Sequence, residues 1–68
     1  MITEVVGDRI KTLRNTRGLS QEKLALKANV DRTYLAGVEK GKRNISLKSL
    51  EKIINALEVS FEEFFTEV

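Results

Sequence analysis

At 68 residues the chain has room for one domain, close to the lower size limit for a self-sufficient core. It holds no cysteine and no histidine and has no apolar run near the roughly 20 residues of a membrane span, which excludes disulfides, thiolate metal sites, thiol nucleophiles, imidazole bases and a spanning helix. The net charge of +2 divides unevenly: residues 1–50 carry eleven Lys/Arg against five Asp/Glu, a balance of +6, whereas residues 51–68 carry Lys52 against five glutamates, a balance of −4.

Ile2, Val6, Ile10 and Leu13 recur at spacings of four and three and mark the inner face of a first helix. Gly18 ends it, since glycine takes the left-handed cap without a Cβ penalty. Ser20 supplies an N-cap oxygen for a second helix, with Glu22 in its first turn favourable to the dipole. Asn29 is a left-handed residue closing that helix, and Asp31 caps the third. Gly41 closes the third helix and Ser46 caps a fourth, whose inner stripe is Leu47, Leu50, Ile54 and Leu57. Ser60-Phe61-Glu62-Glu63 forms a capping box that opens a short fifth helix carrying Phe64 and Phe65. No segment alternates with period two, and no proline occurs. The predicted fold class is all-α, five short helices in one domain spanning 1–68.

Residues 20–41 read as two helices joined by a tight turn, with the second opening on Asp31-Arg32-Thr33-Tyr34. Leu24, Ala25, Ala28, Val30, Leu35 and Val38 form the inside of this unit, and Ala25 allows the helices to approach closely. A plain helical hairpin explains those apolar positions. It does not explain why Gln21, Arg32, Thr33, Tyr34, Lys42 and Arg43 are left to surround one surface. Two packed helices presenting forked, hydroxyl and aromatic side chains at one N-terminus are a device for reaching DNA base edges.

Several stretches together carry a resemblance to the phage Cro and lambda-repressor-like (XRE) helix-turn-helix proteins. They are Ile10-Lys11-Thr12-Leu13-Arg14, Gly18-Leu19-Ser20-Gln21-Glu22-Lys23-Leu24-Ala25, Glu39-Lys40-Gly41-Lys42-Arg43-Asn44 and Ala56-Leu57-Glu58-Val59-Ser60. The match runs from the Gly7 region through Phe65, with the helix-turn-helix at about 20–40 on helices 2 and 3. Within the family, residues 31–39 look most like the controller proteins of restriction–modification systems, which are short, dimeric transcription regulators.

The resemblance implies roles. Gln21 would contact a phosphate and buttress the recognition helix, where free N–H groups also favour an anion. Arg32, Thr33 and Tyr34 are the base-reading candidates: the Arg32 fork can bind guanine O6 and N7 together, worth about 1–3 kcal/mol of discrimination. Lys42, Arg43 and Asn44 resemble the family's backbone-contacting loop, and Ser46, Lys48 and Ser49 open the next helix, where N–H groups can hold another phosphate. Many family members carry proline where Ile45 stands. Gly37 sits inside the recognition helix, where the family often carries a polar base-contacting side chain. Arg14 and Glu39 match a structural ion pair linking the first helix to the end of the recognition helix.

The last dozen residues hold more apolar bulk than a core this small needs. Phe61, with Leu57, is expected to cap the core. The family dimerises through this region, about 56–68, so Leu57, Val59, Phe64, Phe65 and Val68 are the expected dimer interface. The whole reading is of a cytoplasmic homodimeric regulator, bacterial or phage in origin. It binds double-stranded DNA, with RNA polymerase a candidate partner and no cofactor, metal or membrane. It is not expected to be an enzyme, since no activating base stands beside a nucleophile. A protein-interaction module on the same fold, antitoxin-like or adaptor, is the alternative. RNA binding ranks third, because A-form major grooves exclude a helix.

Overall fold

The computed structural model describes residues 1–66. They form α1 (Ile2–Thr16), α2 (Gln21–Ala28), α3 (Arg32–Glu39), α4 (Leu47–Leu57) and α5 (Phe61–Phe65). The punctuation lies where the sequence places it. Ser20, Asp31, Ser46 and Ser60 each accept a hydrogen bond from the backbone N–H three residues on, at 3.0–3.1 Å. Asn29 takes the left-handed conformation (φ 57°), as do Gly18 (φ 69°) and Gly41 (φ 74°). Glu63 returns its carboxylate to the Ser60 N–H, completing the capping box.

One core unites the helices. Val6, Ile10, Leu13, Leu24, Ala25, Ala28, Leu35, Val38, Leu50, Ile53, Ile54, Leu57 and Phe64 are all buried, with Val30, Tyr34 and Ile45 packed at its margin. Helix α1 lies so close to the end of α3 that a Cβ at Gly7 would overlap the Val38 carbonyl oxygen. Three basic side chains tie the ends together. Arg9 donates to the Phe64 and Glu63 carbonyls (2.7 and 2.8 Å), and Arg17 to the Leu57 carbonyl (2.9 Å). Lys27 pairs with Glu58 at 2.8 Å on the surface. Arginines at C-terminal carbonyls satisfy groups that a helix leaves unpaired.

Several expected core positions are corrected. Ile2 is 67% exposed, Leu47 83% and Phe61 45%. Each is the first residue of its helix, and helical side chains lean toward the N-terminus, so these three overhang the core rather than enter it. Phe64, one turn further on, takes the place assigned to Phe61 and is fully buried. Leu57 and Val59 are buried with it, so Leu57, Val59 and Phe64, expected at a dimer interface, are packed inside the protomer. Phe65 stays 41% exposed, and Val68 lies outside the described residues.

Candidate nucleic-acid interface

Helix α3 is seated by an ion pair. Arg14 donates from Nε and Nη2 to the two Glu39 carboxylate oxygens (2.8 and 3.0 Å), and its Nη1 reaches the Leu19 carbonyl (2.9 Å). The Glu39 side chain is 2% exposed and Arg14's 11%, so this pair is buried and bidentate. Gln21 Nε2 adds a third donor to Glu39 Oε1 at 3.0 Å. The buttressing expected of Gln21 is therefore present, and the second hydrogen of its amide nitrogen is left for an outside acceptor.

From that anchorage α3 projects its N-terminal end. Arg32 and Thr33 are exposed, while Tyr34 is half-buried against the core margin. The Tyr34 hydroxyl accepts from the Ser46 backbone N–H at 3.3 Å, which leaves its own proton to donate outward. Arg43 folds back from the α3–α4 loop, its guanidinium carbon 5.1 Å from the Tyr34 ring centroid, a cation–π distance. The Asp31 carboxylate is occupied as the α3 cap.

Asp31, Thr33, Tyr34 and Arg43 line one open groove of about 640 Å³, between the turn, α3 and the start of α4, together with Asn29, Val30, Ser46, Ser49 and Lys52; Arg32 stands exposed outside its lining. The Ser46 hydroxyl is committed to capping α4, accepting from Ser49 N and donating to Ser49 Oγ, so Ser49 is the hydroxyl left to donate outward. Lys42, Asn44 and Lys48 are exposed but do not line the groove. Lys52 was missed at the sequence level, where it counted only as a lone cation in an acidic tail. Its spacing of three from Ser49 on one helix face was the available signal.

The helix-turn-helix family model matches residues 10–64. The control protein C.MunI of a Mycoplasma species is 43% identical over 63 residues, 91% of this chain and 85% of that protein. The chain belongs to the helix-turn-helix controller proteins. The control protein C.BamHI of Bacillus amyloliquefaciens is 43% identical over 54 residues, covering 78% of this chain and 67% of its own. The restriction–modification controller protein C.Esp1396I, as a tetramer in complex with its natural 35 base-pair operator, superposes with a TM-score of 0.92 at 45% identity. That match covers 97% of this chain and 87% of the other. Among the described residues no helix is long and apolar enough to cross a membrane, and no cluster of acidic side chains is arranged to hold a metal ion.

Proposed function

We propose that this chain is a homodimeric, sequence-specific transcriptional regulator that controls restriction–modification gene expression by binding pseudo-palindromic operators in the cytoplasm. The observation that carries the DNA reading is the exposed α3 N-terminus, with Arg32 and Thr33 free at its tip. Thr33, Tyr34, Arg43, Ser49 and Lys52 line the groove beside that tip. Arg32 and Thr33 read base edges in the major groove, and Tyr34 donates to a phosphate or lies along a base step. Gln21, Lys42, Arg43, Asn44, Lys48, Ser49 and Lys52 set position on the phosphates, with the Ser46 N-cap presenting the free N–H groups of α4. RNA polymerase is a further partner only where bound controller lies beside a promoter.

The dimer face is reassigned. Ile2, Leu47 and Phe65, three of the exposed apolar residues, lie around an apolar groove of about 460 Å³ with Val6, Ile45 and Leu50. A second copy of the chain covers this face, which places two recognition helices about 34 Å apart, one turn of DNA. Binding to duplex DNA at rising salt tests the reading: log K falls linearly with log salt, and removing one phosphate-contacting lysine flattens the slope by about one. Folded protein with no salt-dependent DNA binding would instead support the protein-interaction module.

A further inference from the structure

Glycine inside a helix is less favourable than alanine, so Gly37, in the middle of α3, calls for a physical reason. The structure supplies one. A Cβ at position 37 would stand 2.6 Å from Arg43 Cγ and within 3.7 Å of its Cδ and Cβ. The Arg43 stem therefore lies directly across Gly37 and runs back along α3 to Tyr34, one turn nearer the N-terminus, where the guanidinium stacks. Tyr34 is itself pinned at its far end by the Ser46 N–H.

We propose that Gly37 is a positioning residue for DNA recognition. Its missing side chain opens a channel across α3 through which Arg43 is laid over Tyr34, bringing a loop cation to the DNA-facing groove. The inference rests on the DNA reading above and adds what selects glycine at this position. With alanine there, the Arg43 stem must move by about 1 Å to reach ordinary van der Waals contact. The exposed side chain yields without cost to the core, but the guanidinium leaves its seat on the ring. Fold and recognition are thereby separated: Gly37→Ala favours the helix and harms the interface.

Two measurements test this, on wild type, Gly37→Ala, Arg43→Ala and the double variant. Proton NMR of the DNA-free protein reads the ring-current shift that Tyr34, the chain's single tyrosine, imposes on the Arg43 side chain. Gly37→Ala is expected to abolish that shift while leaving the melting temperature unchanged or raised. Affinity for the duplex that wild type enriches from a random library is expected to fall about five- to tenfold in Gly37→Ala. In the Arg43→Ala background the same change is expected to alter affinity by less than about twofold. An unchanged Arg43 shift, or equal losses in the two backgrounds, would overturn the proposal and leave Gly37 acting independently of Arg43. Failure of wild type to bind any duplex is a different result. It overturns the DNA reading, and with it this role for Gly37.

Discussion

Two arginines differ sharply in burial and in what their loss should do. Arg14 spends Nε, Nη1 and Nη2 inside the protomer, on Glu39 and the Leu19 carbonyl. Arg14→Ala leaves the Glu39 carboxylate buried with Gln21 as its remaining hydrogen-bond donor among the described contacts. The expected loss is about 3–5 kcal/mol, a shift of at least about 12 °C in melting temperature for a domain of this size. DNA binding should disappear with folding and not before it, and an unchanged melting temperature would contradict that account. Arg32 is the opposite case, exposed at the tip of α3. Arg32→Ala should melt like wild type yet lose about 1–3 kcal/mol of discrimination at its base. The Arg14–Glu39 pair was legible in the sequence through the family resemblance, and the guanidinium fork is what proposes base reading for Arg32. The Arg43–Tyr34 stack was not, because it joins a helix to a loop nine residues on, where no periodicity relates the two.

Among the helices, caps were read with more success than faces. Ser20, Asp31, Ser46 and Ser60 all act as N-caps because the residue type and the geometry it supplies are local. Helical spacing placed Ile2 and Leu47 inward and Phe61 was expected to cap the core, yet each stands first in its helix and overhangs the core. Ile53, buried outright, was passed over although it stands three residues after Leu50 and four before Leu57, on the same stripe. The close contact of α1 with α3 depends on Gly7. Gly7→Ala is expected to cost about 1–3 kcal/mol by overpacking against the Val38 carbonyl, measurable by urea unfolding. At the end of α4, the hydrogen bond and charge of Lys27 hold the Glu58 carboxyl below the usual carboxylate range. A lowered folded-state pKa means the contribution is present above the unfolded value and is lost as pH falls through the folded one. Lys27→Met should therefore bring the Glu58 titration, followed by NMR, back up toward its ordinary range.

As a whole molecule, the chain has a basic face and an apolar face with different tasks. The apolar one, with Leu47 and Ile2 overhanging it and Phe65 at its side, is the dimer face proposed above; of the residues the sequence suggested for that face, Phe65 is the one among the described residues that lines it. The excess of apolar bulk near the C-terminus was visible; which aromatic turned inward depended on where α5 began. Leu47→Glu should leave the protomer folded, since that side chain is already 83% exposed. It should convert the dimer to a monomer by sedimentation and weaken operator binding with it. A wild-type monomer at tens of micromolar would defeat the dimer assignment.

The central claim is that a dimer reads bases through the α3 N-terminus. Selection from a random duplex library at about 150 mM salt, a concentration where phosphate contacts alone bind weakly, tests it most directly with wild type and Arg32→Ala in parallel. The account predicts that wild type enriches a pseudo-palindrome and that the variant, equally folded, loses preference at one base pair in each half-site. Enrichment of no sequence by folded wild type, or of the same sequence by Arg32→Ala, would contradict it.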